Sequence, residues 1–301
     1  MNSRSGSLML AALLWLAQPA AAALNVLACE PEWGALVREI GGSKVNLYMA
    51  TTALQDPHRI EARPSLIARA RNADLVVCTG AELEAGWLPL LQSQSGNPKI
   101  QSGQLGYFEA ARHVARLEVA QQLDRAQGDV HPAGNPHVHL NPHNIEKIAV
   151  ALSNVMSQID SGEAPFYQAN TKAFLERWRQ AIPRWEKAAL PLKGMPLVVH
   201  HRNFSYLIQW LGMKEIGDLE PKPGLPPTAA HLSGLLAKLS TSPAKAIVRS
   251  AYSDSRAAEW LAGRASIPVV MLPYTVGGSP QAKDLFSLYE DTLSRLLALA
   301  K

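Results

Sequence analysis

Short apolar runs alternate with stretches of helical periodicity along most of this chain, and that alternation limits the fold more than any other feature. Leu24–Cys29, Val45–Met49 and Asp74–Cys78 are too short for stable helices and apolar enough to be buried strands. Pro31–Ile40 and Pro64–Ala70 lie between them with helical spacing. Each opens on a proline, whose missing N–H costs nothing in a first turn, and Gly41-Gly42 stops the first of them. Strand–helix–strand succession of this kind predicts βαβ units and parallel sheets. The pattern returns near the C-terminus, with strands expected at Pro196–His200, Ala246–Arg249 and Pro268–Leu272. Helices are expected around 204–211, 228–239, 255–264 and 281–299. Residues 93–136 read as a polar, loop-rich region.

Two helical stretches stand between these halves. Pro142–Ile159 keeps Ile145, Ile148, Leu152 and Met156 on one face, and Ala164–Leu190 carries Phe174, Trp178 and Trp185. Pro183 is expected to kink the second. The predicted class is α/β: two βα lobes with parallel sheets, residues 24–160 and 193–301, joined by one long connecting helix across 161–192. The halves share architecture but no residue-level repeat.

Residues 1–23 are expected to lie outside the fold. Arg4, the apolar run Leu8–Ala17 and the alanines 20–23 form the pattern of a secretory signal peptide, too short to span a membrane. A periplasmic location, with the signal cleaved and no direct membrane insertion afterwards, is the expectation. Hydrophobic content of 47% with 18% charged residues describes a well-cored globular protein. Loss of Arg4 leaves 28 basic against 25 acidic residues, a net +3. That charge is weak and scattered, with no basic stripe, so nucleic acid is not an expected partner. Cys29 and Cys78 each end an apolar run. Export leaves two states open for them, a disulfide or a pair of buried thiols.

The stretch Asn135-Pro136-His137-Val138-His139-Leu140-Asn141-Pro142-His143 places three imidazoles within seven residues, fenced by two prolines. Pro142 predicts a helix start, with Asn141 as its N-cap. Neutral imidazole is the commonest side-chain ligand for borderline metals. His58 and His201 also lie where a loop or strand gives way to a helix. In open α/β folds, ligands bind beyond the carboxyl ends of strands. Two facing lobes would therefore pool His58 and His137 from one side with His201 from the other.

Asp56-Pro57-His58 followed by Arg63-Pro64-Ser65 resembles the first metal-ligand loop of the solute-binding proteins that serve zinc and manganese ABC importers, the cluster A-I or cluster 9 family. Asn135–Pro142 resembles the second loop, an Asp-Pro-His variant. His201-Arg202-Asn203-Phe204-Ser205-Tyr206 resembles the third, a histidine followed five residues on by tyrosine. Glu220–Pro227 is similar to a proline-rich segment that comes next in the family. The resemblance spans the mature chain in order, and it implies that His58, His137 and His201 each occupy a metal-ligand position. It further implies a high-affinity extracytoplasmic protein that delivers Zn²⁺ to a membrane ABC permease, makes and breaks no bond, and acts as a monomer.

One departure stands out. The family usually supplies a carboxylate from a loop after the last strands, and Leu272–Gly278 contains none. The fourth position is left to water or to another group. Asp254, Glu61 and Glu220 are acidic candidates, and His139 is a further one because alternate residues of an extended segment face the same side. His200, pointing the other way from His201, is expected to be packed. His113, His131 and His143 are expected at the surface, with His131 in a short, histidine-poor loop ahead of the second ligand. Three imidazoles without a carboxylate favour zinc over manganese, which prefers oxygen. Three histidines and a water also describe catalytic zinc, so a zinc hydrolase is one alternative, although no His-Glu-x-x-His pairing is present. A manganese-binding homologue and an adhesion module with structural metal are others.

Overall fold

The computed structural model describes residues 23–119, 131–222 and 224–301. The signal segment lies outside these residues except for Ala23. Eight strands form two four-stranded sheets, ordered β2-β1-β3-β4 and β6-β5-β7-β8, and every pairing is parallel. In the first sheet, β1 (Leu24–Ala28) and β3 (Leu75–Cys78) are central, flanked by β2 (Val45–Met49) and β4 (Tyr107–Glu109). In the second, β5 (Pro196–Val199) and β7 (Ala246–Ser250) are central, flanked by β6 (Lys214–Asp218) and β8 (Val269–Leu272).

The central strands are almost wholly buried, which is why they read as unbroken apolar runs. The edge strands β4 and β6 were not foreseen. β4 has three residues, and β6, Lys-Glu-Ile-Gly-Asp, is half-exposed and polar, so neither carries an apolar signal.

Helices α1 (Pro31–Gly41), α2 (Pro64–Arg71) and α3 (Leu88–Ser95) belong to the first lobe; α6 (Ser205–Leu211), α7 (Ala229–Thr241), α8 (Arg256–Ala265) and α9 (Leu285–Leu297) belong to the second. Between them run α4 (Pro142–Ile159), capped by the Asn141 side chain, and α5 (Ala164–Ala188). α5 passes through Pro183 as one helix of 25 residues. Ala181, Ile182 and Trp185 are buried around the proline, and their packing offsets the hydrogen bond that proline cannot make.

One apolar cluster runs through both lobes. It includes Val26 and Trp33 of the first, Ile148 and Trp178 of α4 and α5, and Val199, Val248 and Leu296 of the second. The outer face of each sheet has its own smaller core. No helix among the described residues is long and apolar enough to cross a membrane.

Cys29 and Cys78, fully buried at the ends of neighbouring strands β1 and β3, form a disulfide with a Cα–Cα distance of 4.8 Å. It closes a loop with a sequence separation of 49, for which chain entropy alone predicts about 4 kcal/mol. The double variant Cys29→Ala/Cys78→Ala is expected to lose about 2–4 kcal/mol in urea unfolding, with the cleft between the lobes unaffected.

Candidate metal centre

Three imidazoles meet between the lobes. His58 is on the loop after β2, His137 on the loop leading into α4, and His201 two residues beyond β5. One ring nitrogen from each lies within 4.8 Å of the other two. The ring centroids form a near-equilateral triangle of 5.9, 5.8 and 5.8 Å, with planes inclined at 73–82°. One ion can bridge nitrogens at this spacing with small ring movements. The triangle sits beyond the carboxyl ends of both sheets, where ligands collect in open α/β folds.

Each ring is held from behind through Nδ1. Asp56 Oδ1 lies 2.7 Å from His58 Nδ1, Glu220 Oε2 lies 2.7 Å from His201 Nδ1, and the Tyr274 hydroxyl lies 2.7 Å from His137 Nδ1. A carboxylate only accepts, so Nδ1 of His58 and of His201 carries the proton and Nε2 keeps its lone pair. Asp56 also accepts from the His58 backbone N–H, and Glu220 from that of Gly224. Burial works the other way, but the hydrogen bonds from His58 and His201 hold Asp56 and Glu220 below their ordinary values. Arg59 donates to the Gly224 carbonyl at 3.0 Å, tying the His58 loop to the segment that carries Glu220.

Burial and the neighbouring imidazoles keep His137 well below the ordinary histidine value. The ring is therefore neutral at neutral pH, as metal binding requires.

His131 is not at the surface. It is half-buried, and its Nε2 lies 3.1 Å from His58 Nε2, with the ring centroid 6.4 Å from that of His137. The backbone of Ala81 hydrogen-bonds it, while burial and the His58 and His201 rings push it down to about 3. His113 and His143 are exposed as expected; His113 stacks on Phe108 and His143 meets Glu186.

The other candidates stand apart from this convergence. His139 turns away because Val138–Leu140 is a 3-10 turn, so the alternation of an extended strand does not apply. Its Nε2 donates to the Tyr274 carbonyl at 2.9 Å, and its Nδ1 lies 3.1 Å from the buried Glu32. Glu220 stands behind His201 rather than beside it. Asp254 and Glu61 are exposed, and Asp254 is paired with Arg256. His200 is packed as expected, with Glu220 the nearest carboxylate at 3.7 Å. Among the described residues, no carboxylate joins the three-histidine group.

The residues overlooked in the sequence are the supports. Tyr274 belongs to the same Leu272–Gly278 segment that lacks a carboxylate, and it supplies a hydroxyl to His137 instead. Asp56, two residues before His58, was legible as a residue able to bond its own loop. His131 had no signal beyond its own identity.

A family model described as "Zinc-uptake complex component A periplasmic" (ZnuA) matches residues 26–298. The chain belongs to that family. This family comprises solute-binding components of ABC transporters, not enzymes. Its relatives include the high-affinity zinc uptake system protein ZnuA of Bacillus subtilis, 23% identical over 88% of this chain and 82% of that protein. The manganese ABC transporter substrate-binding lipoprotein PsaA of Streptococcus pneumoniae is 22% identical over 88% of this chain and 84% of that protein. A solved structure of ZnuA superposes with a TM-score of 0.75 at 18% identity, covering 91% of this chain and 99% of the other. That likeness is one of fold.

Beneath the site, Glu84 is buried and accepts from the backbone N–H groups of Thr79 and Gly80. Burial raises its carboxyl to about 7, although hydrogen bonds from Glu30 and Thr79 lower it. A carboxyl raised in the fold contributes stability that is full below its unfolded value and lost as pH rises through the folded one. Glu84→Gln cannot ionise, so its stability relative to wild type is expected to rise between pH 5 and pH 8.5. The change should be roughly 1–3 kcal/mol, read from paired thermal or urea unfolding at the two pH values.

Proposed function

We propose that His58, His137 and His201 are the ligands with which this zinc-uptake family member captures Zn²⁺. As a solute-binding protein, it serves an ABC importer. One observation carries the ligand assignment: three imidazoles from separate loops of two lobes converge, each with Nδ1 anchored, so that nitrogens distant in sequence face a common point. One buried and two half-buried histidines are each propped on Nδ1.

An all-nitrogen set suits zinc. Manganese prefers carboxylate, carbonyl and water oxygens, and the carboxylates nearest the rings, Asp56 and Glu220, are committed to Nδ1 hydrogen bonds. That commitment also argues against a hydrolase. A zinc-bound water needs a base beside it, and neither carboxylate is free for that task. The chain is read as exported on a cleaved signal peptide to the periplasm and as acting there as a monomer, handing its ion to a membrane permease.

His137→Ala is expected to abolish tight zinc binding, as measured by competition with a chromogenic chelator. The same titration on His58→Ala/His201→Ala decides the assignment: wild-type affinity in that double variant would remove it. Tyr274→Phe keeps the ligands but frees His137 Nδ1. Its affinity is expected to fall about 10- to 100-fold, the usual effect of losing an outer hydrogen bond to a ligating histidine.

A further inference from the structure

We propose that His131 is the fourth ligand of this zinc site, closing it with an imidazole where the family pattern implies a carboxylate from the loop after the last strands. The inference rests on the three-histidine reading above and completes it.

Nε2 of His131 and Nε2 of His58 are 3.1 Å apart. Two nitrogens bound to one zinc at ~2.0–2.1 Å each, at a tetrahedral angle, stand about 3.3 Å apart. The two rings thus already have the spacing of neighbouring ligands. His58 Nδ1 is protonated by its bond to Asp56, so in the neutral ring Nε2 of His58 can only accept. His131 donates its one N–H, on Nδ1, to the Ala81 carbonyl, so its Nε2 also carries a lone pair, and two lone pairs face each other at 3.1 Å with room for a cation to take both.

The far side of His131 is built to hold it there. With Nε2 facing His58, Nδ1 is the atom left for the backbone of Ala81. Gly80, Ala81 and Glu82 have φ of +74°, +50° and +68°, three successive left-handed residues of which two are not glycine. Strain of that kind persists only where surroundings enforce it, and it clusters at ligand clamps. Here Glu84 enforces it by accepting from the Thr79 and Gly80 N–H groups. On the other flank, Gly134 (φ +101°) donates to the His131 carbonyl, and a Cβ at Gly134 would meet the Leu117 carbonyl at 2.8 Å. That turn reverses the chain between His131 and His137 and leaves their ring centroids 6.4 Å apart on the same side as His58.

Four nitrogens make a closed tetrahedral site. It has no open position for a reacting water and excludes oxygen-preferring manganese more firmly than three would.

The variant-free test is X-ray absorption at the zinc edge on the zinc-loaded wild-type protein. The expected fit is four imidazole nitrogens; three imidazoles with one oxygen would overturn the proposal. In parallel, cobalt-loaded His131→Ala, with water in the vacated position, should shift its visible bands to those of a three-nitrogen, one-oxygen site, and added imidazole should restore the wild-type spectrum. Its zinc affinity should fall by about tenfold or more, since even outer-sphere losses reach that size. His131→Gln, which keeps a hydrogen-bonding side chain for the Ala81 backbone, should show the same spectral shift if the alanine variant does not fold. Unchanged cobalt spectra and zinc affinity in these variants, with binding still lost in His137→Ala, would sink the role of His131 and leave the three-histidine site standing. Failure of the wild-type protein to bind zinc or cobalt would remove both.

Discussion

The arrangement depends on orienting imidazoles through their non-binding nitrogens. A neutral imidazole has one N–H and one lone pair, and the partner of the first decides where the second points. Asp56 and Glu220 fix that choice for His58 and His201 with acceptor-only groups, and Tyr274 holds His137 through a hydroxyl. These anchors come from both lobes. His137 of the first lobe is held by Tyr274 of the second, so the lobes must be correctly seated before the ring is aimed. Tyr274 in turn accepts from His139 through its carbonyl, and its neighbour Thr275 donates to Glu32 of the first lobe. Buried polar groups that would be costly alone are thereby joined in one network spanning the cleft.

How much of this was legible in the sequence follows from the physics of each part. The central strands announced themselves because burial on both faces leaves unbroken apolar runs, and α4 because its proline and Asn141 cap are local chemistry. The edge strands β4 and β6 did not, because they are defined by hydrogen bonds to a neighbour rather than by their own side chains. Pro183 does not end α5, because its local cost is outweighed by packing that no single helix encodes.

At the site, the family resemblance carried by the motifs around His58, His137 and His201 grouped residues up to 143 positions apart in sequence. His139 turns away from the three rings, and His131 turns toward His58. The first was judged on extended geometry that a 3-10 turn replaces, while the second was judged by the polarity of its neighbours. Its partner, the backbone of Ala81, lies fifty residues earlier and bears no mark of its role in the sequence. Supports acting through main-chain atoms are invisible to composition, and Tyr274 is only slightly less so, since an apolar core can bury tyrosine for many reasons.

The apolar cluster that threads through α4 and α5 from one sheet to the other has a consequence for how cargo leaves. A binder whose halves meet only across solvent can swing open about a flexible joint. Here the same dense interior continues across the seam, backed by a rod of 25 residues, and prising the halves apart would expose it to water. The loops at the rim carry no such shared interior, so movement there costs less than separating the two layers.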